Sequence, residues 1–230
     1  MKLGVIVIGQ SPRPDLVDPL RAMLPKDEIL EIGALDDTDL GGVSDPTRMR
    51  YPLMTLLRDG SRVVVDESEL TPLLQRALER LEGQGAAVSL LACAGPFAEV
   101  RGLTPLVRPF VVASSTLHSL GIQHIGVVCP SQAQKDPCFR KWTDAGFHST
   151  VWAPDEGESH QPSAYRVAGR MSREIECVVL DYVGYSSGYR QAIWSATGLP
   201  TLDVGHLAIS AIASSVNPLL FIAAKSEAIL

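Results

Sequence analysis

Cys93 is the residue of this chain whose sequence neighbours best suit it to a chemical role. It follows the apolar run 88–92, which is expected to be a strand, and small or rigid residues come after it, namely Ala94, Gly95 and Pro96. Such residues leave room for a ligand and expose backbone N–H groups, and a nearby helix N-terminus would lower the pKa of the thiol. Cys93 is therefore a candidate acid, base or nucleophile. A buried, inert cysteine is the alternative.

A second expected strand, 176–180, is followed by a dense polar cluster: Asp181, Tyr182, Gly184, Tyr185, Ser186 and Ser187. Tyr182 stands where the first strand end has Cys93, and the hydroxyl of Tyr182 or Tyr185 can donate a hydrogen bond into a cleft. The alternative is that the tyrosines pack at an interface and Asp181 caps a turn. Ser186 or Ser187 is expected to cap a helix that runs to Thr197.

Two further strand ends carry polar side chains. Gln10, Ser11 and Arg13 follow the first strand, and Arg13 could hold a carboxylate in a bidentate fork or be a solvated loop arginine. Cys129 and Ser131 follow the strand expected at 124–128, and Cys129 has the same two interpretations as Cys93. Cys138 and Cys177 are interpreted as structural.

Short β-branched runs alternate with amphipathic stretches along the chain, a pattern typical of parallel sheets covered by helices. The clearest strands are expected at 2–8, 62–65, 87–92, 124–128, 176–180 and 200–203, and less regular ones at 29–34, 109–113 and 149–153. A helix is predicted over 70–81. The stretch 35–52, rich in Asp, Gly and Thr, is expected to be an irregular excursion that covers a site.

The order of elements repeats, which predicts two pseudo-symmetric α/β lobes that meet near 113–121. The first lobe is expected to span 1–113 and to be completed by 204–230, and the second to span 114–203. Ligands of open parallel sheets bind outside the carboxyl ends of the strands. The candidate residues are therefore expected around a cleft between the lobes.

Composition and missing motifs exclude several classes of protein. The 230 residues carry a formal charge of -6 with no basic stripe, so nucleic acid is not expected as a partner. The five histidines form no H-x-x-x-H or H-E-x-x-H pair, and the chain has no G-x-G-x-x-G after the first strand, no P-loop and no G-x-S-x-G elbow. We therefore expect no metal and no cofactor.

The cysteines and the C-terminal stretch bear on location. The four cysteines form no C-x-x-C pair and no secretory signal precedes them, so free thiols and a cytoplasmic location are expected. The uncharged stretch 207–224 is interrupted by serines, Asn217 and Pro218, which favours a buried helix with an apolar tail over a membrane span. The tail, 219–224, could serve an interface between copies of the chain.

Three segments resemble the AroM family: 2–13, which reads KLGVIVIGQSPR, 179–185, which reads VLDYVGY, and 199–204, which reads LPTLDV. The wider resemblance is to the aspartate/glutamate racemase superfamily. That resemblance implies two α/β lobes with the substrate carboxylate between them and, in racemases, one cysteine on each lobe. Cys93 would match the first cysteine and Tyr182 the second. Ala94 and Gly95 replace the Asn-Thr pair that usually follows the first cysteine.

One thiol and one tyrosine favour one-sided chemistry over two-thiol racemisation, because a phenol with a pKa of about 10 is a poor base but a usable donor. The resemblance therefore implies a cofactor-independent isomerase or lyase for a small carboxylic acid, with Cys93 and Tyr182 catalytic. A non-catalytic small-metabolite binder is the alternative. The expected substrate-binding residues are Gln10, Ser11, Arg13, Ala94, Gly95, Cys129, Ser131, Asp181, Gly184 and Tyr185.

Overall fold

The first strand, β1 (Lys2–Val7), is apolar and fully buried beyond Lys2, as expected for the centre of a parallel sheet. The computed structural model describes residues 1–38, 49–154 and 160–217. The other elements in chain order are α1 (Pro14–Met23), β2 (Glu28–Gly33), β3 (Pro52–Leu56), β4 (Arg62–Asp66), α2 (Glu67–Gly83), β5 (Val88–Leu91), β6 (Leu106–Val107), α3 (Pro109–Ser119), β7 (His124–Val128), α4 (Lys135–Asp144), β8 (His148–Trp152), α5 (His160–Ala168), β9 (Cys177–Leu180), α6 (Ser187–Thr197), β10 (Thr201–Asp203) and α7 (Val204–Val216).

The first sheet has the strand order β2-β1-β5-β6, and all of its pairs are parallel. Helix α2 covers one face with leucines at helical spacing, Leu70, Leu74, Leu78 and Leu81. Helices α1 and α7 cover the other face, where Leu16 and Leu20 pack in the same cluster as Ile209 and Ile212. The parallel pairing of β1 with β5 places their carboxyl ends side by side.

The second sheet repeats this plan with the order β10-β9-β7-β8, again all parallel. Residues of α3 and α4, including Leu117 and Trp142, belong to the core on one face. Residues of α5 and α6, including Ala164 and Ile193, belong to the core on the other. Two parallel sheets, each covered on both faces, confirm the predicted α/β fold of two similar lobes.

Most predicted elements are confirmed, including the strands at 29–34 and 149–153 and the helix at 70–81. Ser186 caps α6 by accepting a hydrogen bond from the Tyr189 N–H at 3.1 Å, and Gly198 ends the helix in the left-handed conformation. All four cysteines are free, as expected. Within the ranges described, no helix combines the length and the apolar character needed to cross a bilayer.

One predicted strand is wrong, and another lies in an unexpected sheet. The run 109–113 begins α3 instead of forming a strand, because Pro109 occupies the first helical turn, where its missing N–H is tolerated. Ser114 and Ser115 therefore lie inside a helix. The strand predicted at 62–65 is confirmed as β4, but it belongs to an antiparallel hairpin with β3, separate from both parallel sheets.

The predicted lobe boundaries stay a prediction. The boundary at 113/114 falls inside α3, and α7 packs on the first sheet. The expected excursion at 35–52 lies partly outside the described residues, and its described C-terminal end begins β3. The apolar tail at 219–224 lies wholly outside them.

Candidate functional site

A cavity of about 50 Å³ lies where the carboxyl ends of the two sheets meet. The first lobe contributes residues that follow β1 and β5, together with Tyr51 and part of the β3–β4 hairpin. The second lobe contributes residues that follow β7 and β9, together with α4. The lining residues are Ile8, Arg13, Leu16, Tyr51, Leu53, Met54, Thr55, Ala92, Cys93, Ala94, Gly95, Cys129, Pro130, Gln134, Cys138, Lys141, Asp181, Tyr182 and Val183.

The structure brings seven of the twelve predicted site residues into the wall of this cavity: Arg13, Cys93, Ala94, Gly95, Cys129, Asp181 and Tyr182. They come from four different strand ends, which is the arrangement expected for parallel sheets that face each other across a cleft. The cavity therefore joins the Cys93 strand end to the Tyr182 strand end.

The other five predicted residues lie outside the cavity lining, and their contact with a ligand stays a prediction. The Gln10 amide donates to the Leu35 carbonyl at 3.1 Å, and the Ser11 hydroxyl donates to Asp36 at 2.7 Å. Both side chains thus tie the loop after β1 to the loop after β2. The Ser131 hydroxyl contacts the Gln134 amide oxygen at 3.3 Å.

Gly184 and Tyr185 pack against the ring of Tyr182. A Cβ atom at Gly184 would stand 2.6 Å from the Tyr182 ring, so only glycine allows this approach. The Tyr185 ring packs edge-on against Tyr182 at 5.3 Å and stacks on Tyr189 at 4.7 Å. These contacts fix the orientation of the Tyr182 ring.

The Cys93 thiol is buried, and burial raises its pKa to about 11 even though the Gly95 N–H and the Lys141 ammonium favour the thiolate. The Gly95 N–H points at the sulfur from 3.3 Å. The expected lowering of this pKa is therefore wrong, because desolvation outweighs the nearby N–H group. At neutral pH Cys93 is a neutral thiol, which suits it to give a proton rather than to take one.

This state of Cys93 predicts its alkylation by iodoacetamide. At about pH 8 roughly one such thiol in a thousand is ionised, against roughly one in four for an unperturbed cysteine. We expect the rate of Cys93 modification, followed by mass spectrometry of its peptide, to rise with pH towards about 11. A rate that levels off below about pH 9 contradicts this assignment. Far-UV circular dichroism across the same pH range controls for unfolding.

Lys141 and Asp181 form an ion pair at the cavity wall, and each side chain is only 3% exposed. The Lys141 ammonium donates to both Asp181 carboxylate oxygens, at 2.8 and 2.7 Å, and to the Ala94 carbonyl at 2.7 Å. Burial lowers the pKa of Lys141, but the combined effects of Asp181, Tyr51 and Cys138 and of the hydrogen bond to Asp181 outweigh it, so the net pKa is raised and the lysine is charged. Lys141 thereby links the loop that carries Cys93 to the second sheet.

Sequence reasoning missed Lys141 and assigned Cys138 a merely structural role. The Cys138 thiol donates to Asp181 at 2.7 Å, and both α4 residues line the cavity. Contact with Cys129 and burial raise the pKa of Cys138, so it is a neutral donor. The available signal was positional, since Pro137, Cys138, Lys141 and Trp142 form the one buried face of α4. A lysine on that face requires a buried partner.

Arg13 is buried, and one edge of its guanidinium is occupied. Its Nε and Nη2 atoms donate to the two oxygens of Asp15 at 2.8 and 2.6 Å. Arg13 therefore supplies positive charge near Tyr182, and its contact with a substrate carboxylate stays a prediction.

Two phenols line the cavity as neutral hydroxyls. Burial raises the pKa of Tyr182, and burial also raises that of Tyr51. Tyr51 was not predicted, because it falls in a stretch that the sequence presents as irregular. Both hydroxyls keep their protons at neutral pH and can donate hydrogen bonds to an anionic ligand.

No group of three His, Cys, Asp or Glu side chains is placed to hold a metal ion anywhere in residues 1–38, 49–154 and 160–217. The polar side chains at the cavity are thiols, hydroxyls, the Gln134 amide, the Arg13 guanidinium and the Lys141–Asp181 ion pair. This donor set suits proton transfer to a small polar ligand.

Comparison with known proteins agrees with this architecture. A family model described as AroM protein matches residues 3–220. Arylmalonate decarboxylase has a similar structure, with a TM-score of 0.60 at 13% identity over 93% of this chain and 92% of that one. Maleate isomerase Iso from Pseudomonas putida S16 gives 0.60 at 14% identity, over 94% and 92%. Glutamate racemase from Aquifex pyrophilus gives 0.58 at 14%, over 94% and 84%. No curated protein sequence matches significantly. At these identities the likeness concerns the fold.

Proposed function

Since the chain belongs to the AroM family and folds as the two-lobed racemases do, we propose that it is a cofactor-independent isomerase or lyase for a small carboxylic acid. The observation that carries the proposal is the neutral thiol of Cys93 in the wall of a cavity between the two sheets, with a tyrosine in place of a cysteine at the matching strand end. Tyr182 lines the same cavity with its hydroxyl protonated.

In the proposed step, Cys93 protonates an electron-rich carbon of the ligand. Loss of CO₂ next to an acyl group leaves an electron pair on carbon directly, and the shift of a double bond leaves one after water has removed a C–H proton. In both cases the pair is delocalised as an enolate or enediolate. The S–H bond breaks as the C–H bond forms, and the thiolate left behind regains a proton from water. Tyr182 donates a hydrogen bond to the enediolate oxygen, where charge accumulates.

The proposed proton transfer takes place on one face of the ligand, because only one of the two matching strand ends carries a thiol. Burial raises the pKa of the Tyr182 phenol, so Tyr182 keeps its proton and does not act as the base on the second face. A racemase of the two-thiol kind needs a base on one face and an acid on the other. The names of the similar structures cover decarboxylation, isomerisation and racemisation, and the first two agree with one proton donor.

The alternative function is non-catalytic binding of a small metabolite in the same cavity. The lack of a thiol at position 182 favours it, since a chain that has lost one member of a catalytic pair can retain the binding cleft. In this alternative the cavity binds a ligand, and Cys93 takes part in no reaction.

Incorporation of deuterium separates the two functions. A panel of small carboxylic acids is incubated in D₂O with the wild type, with Cys93→Ala and with Cys177→Ala, and carbon-bound deuterium is measured by NMR and mass spectrometry. Cys177 is the matched control, because it is a buried thiol of β9 outside the cavity lining, and burial raises its pKa to about 11 as well.

We expect at least one acid to gain deuterium with the wild type and with Cys177→Ala, and none above the uncatalysed level with Cys93→Ala. Circular dichroism spectra establish that each variant is folded. If no acid exchanges in a Cys93-dependent way although some acids bind, the chain is a binder and the enzyme proposal is rejected.

A further inference from the structure

The charges that line the cavity are already balanced. Among the lining residues that the structure describes, Arg13, Lys141 and Asp181 are the charged ones. Lys141 bonds to both oxygens of Asp181, and Arg13 bonds to both oxygens of Asp15. Each cation therefore has a carboxylate partner before any ligand enters.

This balance limits the charge of a ligand. One carboxylate can be held by neutral O–H donors, because hydrogen bonds to an anion are the strong ones. A second carboxylate in the same cavity would bring another negative charge beside Asp181. With both lining cations already paired, that charge would be desolvated without compensation.

Thr55 is a neutral donor that is available for such a carboxylate. It lies on β3, lines the cavity and is 4% exposed. Its hydroxyl is buried and forms no hydrogen bond with any residue that the structure describes. Buried hydroxyls without a partner are uncommon, and each calls for a reason. Rotation about the Cα–Cβ bond is enough to redirect this hydroxyl, since threonine has three staggered rotamers.

The neighbours of Thr55 are also neutral donors. The hydroxyls of Tyr51 and Tyr182 line the same cavity, and burial keeps both protonated. Three residues with hydroxyl groups and three cysteines thus line a space whose only described charges are paired. Such a cavity suits a ligand that carries one anionic group and no other charge.

The geometry points to a ligand with a single carboxylate, which accepts a hydrogen bond from the Thr55 hydroxyl inside this cavity. The inference rests on the proposed function, from which it takes the small carboxylic acid, and it narrows the substrate class to monocarboxylates. It assigns Thr55 to ligand binding and favours reactions that leave the carboxylate on the ligand.

Pairs of acids in which a methyl group is exchanged for a carboxylate test the charge limit. Suitable pairs are crotonate and fumarate, lactate and tartronate, and propanoate and malonate. Binding is measured by calorimetry and by the protection of Cys93 from iodoacetamide. We expect the monoacid of at least one pair to bind at least tenfold more tightly than its diacid. Tighter binding of the diacids, or no binding of any acid, overturns the inference.

Thr55→Val tests the hydrogen bond. Valine has the same shape without the hydroxyl, so we expect the affinity for the monoacid to fall about 10- to 100-fold. The urea midpoint of the same variant should be unchanged or higher, because a methyl group replaces an unpaired buried hydroxyl. Thr55→Ser should retain most of the affinity. Unchanged affinity in Thr55→Val overturns the assignment.

Ser89→Ala is the matched control. Ser89 is fully buried on β5, its hydroxyl also has no partner among the described residues, and it lies against Gly4, away from the cavity lining. We expect its monoacid affinity to equal that of the wild type.

The result of these binding experiments can be distinguished from the result of the deuterium experiment that tests the enzyme proposal. Thr55-dependent binding of a monoacid without Cys93-dependent deuterium exchange supports the site and rejects the enzyme. Cys93-dependent exchange confined to diacids supports the enzyme and rejects the charge limit.

Discussion

Replacing Lys141 with methionine is expected to lower the free energy of unfolding by about 3–5 kcal/mol, because it leaves a buried carboxylate without its cation. The side chains of Lys141 and Asp181 are both 3% exposed, so water cannot take over the role of the ammonium. Cys138 would then be the one remaining side chain known to donate to Asp181. The Ala94 carbonyl would lose its partner as well. Urea unfolding followed by circular dichroism measures the change.

Arg80→Met is the matched control for this prediction. Arg80 pairs with Asp37 at 2.6 Å, about the same distance as Lys141 and Asp181, but the two side chains are 51% and 79% exposed. Its removal should cost less than about 1 kcal/mol. The double variant Lys141→Met/Asp181→Asn should recover part of the loss, since it removes the unpaired charge. Equal effects of Lys141→Met and Arg80→Met would show that burial does not govern this pair.

The Lys141→Met variant should also loosen the loop after β5. The ammonium joins the Ala94 carbonyl of one lobe to Asp181 of the other, next to Cys93. We therefore expect Cys93 to react with iodoacetamide faster in Lys141→Met than in the wild type at conditions where both are folded. A loss of stability with unchanged reactivity would restrict Lys141 to a structural role.

Gly9→Ala is expected to destabilise the protein by about 3 kcal/mol, through overpacking against rigid backbone. A Cβ atom at Gly9 would stand 2.3 Å from the Leu56 carbonyl oxygen and 2.4 Å from the Thr55 hydroxyl oxygen. The backbone cannot easily withdraw, because the Gln10 N–H donates to the Leu56 carbonyl at 3.2 Å and the Gly9 carbonyl accepts from the Leu35 N–H at 3.0 Å. Urea unfolding again gives the size of the effect.

Gly83→Ala provides the comparison. Gly83 is the last residue of α2, and a Cβ atom there meets nothing within 4 Å. Alanine should leave stability unchanged or raise it by up to about 1 kcal/mol, because glycine is the poorer helix former. A Gly9→Ala variant as stable as Gly83→Ala would mean that the hairpin moves away from β1 without cost. The packing argument would then fail.

The local pattern of the sequence determined the two parallel sheets. After Lys2 and His124, the runs at 2–8 and 124–128 have no polar side chain because their strands are buried on both faces, and that property is visible without any contact information. The hairpin strand β3 was missed, because the stretch before it is polar and rich in turn residues. Its pairing with β4 is a tertiary outcome. The start of α3 was likewise predicted as a strand, because β-branched residues follow Pro109.

The sequence by itself also determined which strand ends carry polar groups, and these became one cavity because parallel strands present their carboxyl ends at the same edge. The tertiary structure alone decided the state of those groups. Burial raises the pKa of Cys93 to about 11, Asp15 binds one edge of the Arg13 guanidinium, and Lys141 on α4 pairs with Asp181. The pKa of Cys93 depends on burial, the Lys141–Asp181 pair joins residues far apart in the sequence, and the Arg13–Asp15 pair depends on the side-chain conformations. The spacing of residues along the chain determines none of these.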